Sequence, residues 1–477
     1  MLYGQDNIIY NIKTDTNFKD FQWEKDSDII DQLFARYSGE KPGASLMVIK
    51  DSKILVNKSY GYADLEKKIK ATHKTNYRTA SVTKQFTAMA IMILIHENKL
   101  NYDSKLTDIF PDFPDYGNEI TIKHLLVHRS GLIDYISLLP EDRIDQILDD
   151  EVLQLMKIQS QTLFHPGTKY EYSNSAYAVL AEVIAKVSGI PYSKYMKTKI
   201  FDPLKMTNTS VYKKGVPIIN RAYGYTISKN NISKTDQSTT SAVQGDGGIY
   251  TSTSDYQKWN KALYTDQLIP LKEFEKSLVS SYDDPELLIQ QYGNGWRIDY
   301  SRSIKITHHS GHTKGFTNYS LRIPELQLCV IAFSNRNNED AIIRIGNTIA
   351  ALYANNRLLI PIEAFIETIY ENNGYKKAIE LYIKLKNTKE NNYLFSGNAL
   401  FIIGQKLQKQ KKYKEAIEIY EFNLNEFPAS FSTCFELANC YFSINEKEKA
   451  KIYYKKTIDL LPTIYKTIFN TSSQRIN

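Results

Sequence analysis

Between Phe86 and Ile95 the chain carries no charge and is apolar on every side, the pattern of a helix buried all round. Upstream, Ser27 to Tyr37 alternates as an amphipathic helix with Ser27 placed to cap it. Ser45–Lys50 and Lys53–Tyr60 read as two strands around a tight Asp51–Ser52 turn. From about Ala90 to Ile269 the pattern is mostly helix and loop. Strand patterning then returns at Ile304–His308, Thr317–Ile323 and Leu326–Phe333, followed by an apolar helix, Ala341–Tyr353, suited to cover a sheet. Strands at both ends with helices between them predict an α/β (α+β) fold. One antiparallel sheet is built from the two ends and flanked by helices, with an all-helical subdomain inserted.

After Pro361 the pattern becomes purely helical and repeats. Leu400, Ile403, Gly404, Leu407, Ala416, Tyr420 and Pro428 recur at a constant offset as Cys434, Leu437, Ala438, Tyr441, Ala450, Tyr454 and Pro462. A period of about 34 residues, with small residues where helices cross and proline after the second helix, is the tetratricopeptide signature. Ala378 and Tyr382 mark an earlier, degenerate copy. The predicted organisation is an N-terminal extension over 1–24, a catalytic domain over 25–356 and a helical repeat domain over 357–477.

The totals add limits. A chain of 477 residues exceeds one core, and 42% apolar with 24% charged residues is ordinary for a globular protein. The net charge of +7 is spread along the chain, as on a solvated surface, and predicts no nucleic-acid groove. Cys329, Cys434 and Cys440 form no disulfide framework or metal spacing, so packing is their expected role. No apolar run reaches the roughly 18 residues of a membrane span. Met1 to Asp20 is polar and lacks the apolar segment of a signal peptide.

The chemistry starts at Ser81-Val82-Thr83-Lys84, which opens the buried helix. Serine and lysine three apart share a helical face, and the helix N-terminus adds unpaired N–H groups and a positive dipole end. Lys84 is thereby placed to take the serine proton. Ser38/Lys41 and Ser210/Lys213 share the spacing but open no long apolar helix. A second element is Tyr172-Ser173-Asn174, between a Pro166-Gly167 turn and the apolar run Ala178–Val187. Its phenol suits a proton relay and its amide suits a substrate carbonyl. The third is His309-Ser310-Gly311 on a strand, where glycine lets a substrate lie against the edge. His308, His309 and His312 lack a local acidic or thiol ligand, and neighbouring strand residues point to opposite faces, so no metal is expected. Nothing calls for a cofactor.

As a set, these motifs resemble the class C-like branch of the serine beta-lactamase and penicillin-binding-protein superfamily. The resemblance runs over residues 25 to 355 and takes in Thr121 to Leu132, Gly245 to Ser252 and Tyr292 to Trp296. It implies Ser81 as nucleophile, Lys84 as general base, Tyr172 as proton relay, and Asn174, His309, Ser310 and Gly311 as substrate-side groups. It also implies an oxyanion hole from the backbone N–H groups of Ser81 and His312. Class C beta-lactamases carry Lys-Thr-Gly where this chain has His309-Ser310-Gly311, a variation similar to D-alanyl-D-alanine carboxypeptidases, D-amino-acid peptidases and esterase-like relatives. The implied function is a serine hydrolase of peptide, amide or ester bonds working through an acyl-enzyme. D-amino-acid peptidase or carboxypeptidase activity comes first, with esterase, weak beta-lactamase or a non-catalytic ligand-binding scaffold as alternatives. The partners implied are a small-molecule or peptide substrate and a protein partner on the repeats. The resemblance points to the periplasm or cell surface, with the cytoplasm as the alternative.

Overall fold

The computed structural model describes residues 26–228, 231–279, 291–337, 340–388 and 392–461. It contains two compact units, one formed by Phe34–Leu358 and the other by the helix Asp26–Leu33 together with the chain from Leu359 onward.

The first unit is organised on a seven-stranded antiparallel sheet. Its strands are β1 (Ala44–Lys50), β2 (Lys53–Tyr60), β3 (Gln291–Gly293), β4 (Trp296–Ser301), β5 (Ile304–Thr313), β6 (Phe316–Ile323) and β7 (Leu328–Ser334), in the order β3-β4-β5-β6-β7-β1-β2. The N-terminal hairpin therefore joins the last strand, with Ala44 opposite Ser334 and Lys50 opposite Leu328. β1 and β7 are buried on both faces and read as nearly unbroken apolar runs, whereas β2 is an edge strand that is exposed or half-buried except at Val56. Met47, Ile49, Cys329, Ile331 and Phe333 belong to the core shared with the inserted helices. The alternate residues, Leu46, Val48, Val330 and Ala332, are equally buried and point the other way.

Four helices matter for the site: α1 (Lys84–His96), α2 (Asp149–Lys157), α3 (Asn174–Ser188) and α4 (Ala341–Tyr353). α4 covers β6 and β7, with Gly346 so near the Tyr319 ring that an added methyl would lie 2.6 Å from it. α1 is buried along nearly its whole length, and Phe86 stacks on Trp259 with ring centroids 4.2 Å apart.

The structure refines several sequence expectations. The expected strand Ile304–His308 continues to Thr313, because β6 pairs with it along its length. Pro324–Leu326 forms a 3-10 turn, so β7 begins at Leu328. The inserted region also contains short strands, including Tyr77–Arg78, Ser210–Val211 and Ile249–Thr251 paired as one small sheet. The N-terminal helix ends at Leu33 and gives way to a separate 3-10 turn, Ala35–Tyr37.

The second unit consists of helix pairs: α5 (Glu363–Asn373) with α6 (Tyr375–Lys386), α7 (Asn398–Lys409) with α8 (Tyr413–Glu426), and α9 (Phe431–Ser443) with α10 (Lys447–Leu460). Gly404 meets Tyr420 where α7 and α8 cross, and a methyl there would fall 2.2 Å from the ring. The small residue of the repeat thus sets how closely the helices approach. Buried Glu367 on α5 pairs with Lys406 on α7 at 2.6 Å, tying adjacent pairs together. Residues 1–24 and Pro462 lie outside the described residues. Among the described residues no helix is long and apolar enough to cross a membrane.

Candidate active site

Ser81 sits on a backbone turn that the small sheet holds in place. Thr79 donates its N–H and its hydroxyl to the Ile249 carbonyl, at 2.9 and 2.8 Å. Ala80 follows with φ 50°, in the left-handed region that costs a residue with a Cβ roughly 1–2 kcal/mol. Ala80–Thr83 then forms a 3-10 turn that runs directly into α1. In a 3-10 turn residues three apart eclipse, so Lys84 lies over Ser81. The sequence expectation of one shared face is met, though through a 3-10 turn preceding the α-helix. Ser81 remains half-buried while Val82, Thr83 and Lys84 are buried.

The Lys84 ammonium is fixed from three sides. Its Nζ donates to Ser81 Oγ at 3.3 Å, Asn174 Oδ1 at 2.9 Å and the Asp246 carbonyl at 3.0 Å. Asn174 opens α3, capped by Ser173, whose Oγ accepts from the Ala176 N–H. Asp134 accepts from both the backbone N–H and the side-chain Nδ2 of Asn174, at 3.1 and 2.9 Å. That clamp turns Oδ1 toward the lysine. The Tyr172 ring centroid is 4.9 Å from Lys84 Nζ, and its hydroxyl is buried without a hydrogen-bond partner among the described residues. His128 packs on the Tyr172 ring at 4.2 Å and accepts the Ser173 N–H on Nδ1. Burial and, secondarily, the Lys84 charge push His128 well below the usual histidine range, so it stays neutral.

β5 forms the opposite wall. A methyl on Gly311 would lie 2.1 Å from the Thr79 carbonyl oxygen, so only glycine lets the strand approach the nucleophile turn this closely. His309 is 1% exposed, with Nδ1 bonded to the Ser310 carbonyl at 2.6 Å and Nε2 to the Tyr292 hydroxyl at 2.9 Å. The carbonyl requires a donor, so Nδ1 carries the proton and Nε2 accepts from the phenol. Burial, then Arg297 and Lys84, hold His309 far below the usual histidine range and leave it uncharged. The other two histidines go elsewhere: His308 pairs with Asp299 at 2.8 Å and His312 with Asp340. Three histidines with three separate partners do not converge on one point, and among the described residues no cluster of metal-ligand type occurs.

A cavity of about 270 Å³ opens on Ser81, Tyr172, Asn174, His309, Ser310 and His312. Arg78, Tyr135, Asp246 and Arg297 also line it, and none of these was singled out in the sequence. Arg297 extends from β4 with its guanidinium 5.3 Å from the Tyr172 ring centroid. Asp246 accepts from the Tyr135 hydroxyl at 3.0 Å, and burial raises its carboxyl to about 6 against the opposing pull of Lys84. The available signal for Asp246 was an acid inside the Gly245-to-Gly248 run, a place where a solvated turn is the simpler reading. The arrangement offers a hydroxyl, an amine within hydrogen-bond reach and an unpaired phenol around one cavity, the parts that acyl transfer requires.

The beta-lactamase family model matches residues 30–354. Protein flp of Staphylococcus aureus (strain COL) is 32% identical over 321 residues, which cover 63% of this chain and 61% of that protein. Penicillin-binding protein 4* of Bacillus subtilis (strain 168) is 31% identical over 333 residues, 65% of this chain and 73% of that protein. Among solved structures, the octameric penicillin-binding protein homologue from Pyrococcus abyssi superposes with a TM-score of 0.62 at 26% identity, covering 73% of this chain and 80% of that one. The matched region spans about 61% of the length of the staphylococcal relatives. The family match covers the whole sheet, the inserted helices and every residue around the cavity, and the chain belongs to the beta-lactamase family.

Proposed function

We propose that this protein is a serine hydrolase that cleaves peptide, amide or ester bonds through an acyl-enzyme on Ser81. The observation that carries the reading is the Lys84 Nζ to Ser81 Oγ contact of 3.3 Å inside a cavity shared with Tyr172. In this reading Ser81 Oγ attacks the substrate carbonyl carbon while its proton passes to the lone pair of Lys84 Nζ, which acts as base in its neutral amine form. The backbone N–H groups of Ser81 and His312 receive the carbonyl oxygen, each donor lowering the barrier by roughly 3 kcal/mol. As the bond to the leaving group breaks, the Tyr172 hydroxyl delivers a proton to the departing amine or alkoxide and regains one from Lys84. Water then attacks the acyl-serine, gives a proton to Lys84, and the bond to Ser81 Oγ breaks as that oxygen takes the proton back, releasing the acid and restoring Ser81. Asn174 holds Lys84 in place and presents its amide beside the substrate carbonyl.

The substrate class proposed first is a peptide or amide of carboxypeptidase or D-amino-acid peptidase type. At position 309 strand β5 brings no charge to the cavity, since His309 is buried and neutral, whereas Arg297 brings a guanidinium there. Arg297 supports recognition of a substrate carboxylate, while the loss of the lysine charge that class C beta-lactamases carry at the position of His309 places beta-lactam hydrolysis behind peptidase and esterase activity. The penicillin-binding relative supports an extracytoplasmic location, and the helix pairs of the second unit support a tetratricopeptide surface for a protein partner.

The test is covalent labelling. A fluorophosphonate or a penicillin adds one adduct to the peptide containing Ser81, read by mass spectrometry, and Ser81→Ala abolishes adduct and turnover together. Ser38→Ala and Ser210→Ala leave both intact, because neither serine reaches the cavity. Full activity in Ser81→Ala removes the reading.

A further inference from the structure

Next to the catalytic cavity lies a second hollow of about 270 Å³ whose surface is mainly apolar. One wall is a face of α2, where Glu151, Gln154, Leu155 and Ile158 recur at helical spacing. The facing wall is Leu138, Leu139, Pro140 and Ile147. The two hollows are joined by the 3-10 turn Tyr135–Leu138. Tyr135 and Ile136 line the catalytic cavity, while Leu138 and Leu139 line the second hollow. Residues three apart eclipse in such a turn, so Leu138 continues the face of Tyr135, and Leu139 follows as the chain turns extended. A chain leaving the cavity along this turn stays on apolar side chains.

The surrounding surface has the same character. In the segments that supply the two walls and just beyond them, Ile136 is 50% exposed, Ile144 90%, Ile158 75% and Leu163 55%. Exposed aliphatic side chains beside an apolar hollow favour an apolar occupant. The same segments also carry exposed Glu141, Asp142, Asp145 and Asp150, while Arg143 is paired with Glu151 at 2.8 Å and Lys214 lies 3.9 Å from Asp145. The acidic excess disfavours an anionic membrane surface and leaves an uncharged hydrocarbon as the fitting occupant.

We propose that this groove binds a medium-length, uncharged apolar chain of the substrate, extending the Ser81 site and selecting acyl or alkyl derivatives over their short analogues. The proposal rests on the hydrolase reading, and its test separates the two. Wild-type protein is assayed on p-nitrophenyl acetate, butyrate, octanoate and decanoate, and in a second series on acetates of alcohols of increasing length. The first series places the chain on the acyl side and the second on the leaving-group side. Burial of each methylene is expected to raise kcat/KM about fourfold, and the rise from butyrate to octanoate is then on the order of a hundredfold. Ile158→Asp, at an exposed position where folding is safe, and Leu139→Asp flatten the favoured series and leave acetate turnover unchanged. Calorimetry with 1-octanol on Ser81→Ala reads the groove without turnover, with binding lost in the Ser81→Ala/Ile158→Asp double variant. Octanol binding in a protein that hydrolyses none of the esters keeps the groove and removes the hydrolase reading. Flat profiles in both series with no octanol binding overturn the groove. So does a chain-length preference that both variants retain, or one that emerges only with anionic vesicles.

Discussion

Lys84 Nζ lies closer to Asn174 Oδ1, at 2.9 Å, than to Ser81 Oγ, at 3.3 Å. The amide of the second motif is therefore the firmest anchor of the amine in the first, and Asp134 fixes that amide in turn. Asn174 thus positions Lys84, beside the substrate-side role proposed for it. Asn174→Ala is expected to lower kcat by about 10- to 100-fold, the scale of one lost charge-assisted hydrogen bond of roughly 1.5–3 kcal/mol. Asp134→Ala, which leaves the amide without its acceptor, is expected to do the same more mildly. Acylation rates with a fluorophosphonate measure both, and rates equal to wild type would refute the anchoring role.

Gly311 is a packing requirement imposed by the nucleophile turn. Gly311→Ala pushes β5 off the Thr79 carbonyl, since the added methyl meets that backbone oxygen at 2.1 Å. Activity should fall at least about 100-fold, because displacing the strand moves the His312 donor by a distance that costs rate steeply. Circular dichroism and a melting curve report whether the fold persists. A fully active Gly311→Ala would show that the strand has more freedom than this contact allows.

Asp246 makes a pH signature. Its carboxyl is raised from 3.8 to about 6, first by burial, so the folded chain holds the proton more tightly than the unfolded chain does. The stability from that proton is complete below about pH 4 and lost as the pH rises through about 6, amounting to on the order of 2–3 kcal/mol. Asp246→Asn removes this dependence. Urea unfolding of both proteins at intervals from pH 4 to 7 should show wild type losing stability relative to the variant across that window. Parallel curves would contradict the assignment.

The two compact units lead to a separation experiment. A chain of Phe34–Leu358 is expected to fold and hydrolyse a small ester at a rate within about threefold of the full protein, since every residue around the cavity lies inside it. Insoluble expression, or complete loss of turnover in a soluble protein, would show that the second unit is needed for the first.

Local pattern alone is enough for five of the seven sheet strands, the buried helix after Ser81 and the helix pairs beyond Pro361, but not for β3 and β4 at one edge of the sheet. Those depend on side-chain periodicity and on small residues where helices cross, which the order of residues records directly. The spacing of Ser81 and Lys84 is likewise local, and the decoys at Ser38 and Ser210 were set aside because no apolar helix follows them. Tertiary structure decided what distant segments do to one another. Asp134 clamps Asn174, burial and then Arg297 and Lys84 hold His309 neutral, and Arg297 reaches the cavity from β4. Protonation follows from burial and from charges distant in sequence, so no motif could state that His309 lacks the charge of the lysine it stands in for. The apolar groove is also invisible in the sequence, because Leu139 and Ile158 are unremarkable until the fold brings them to the same hollow.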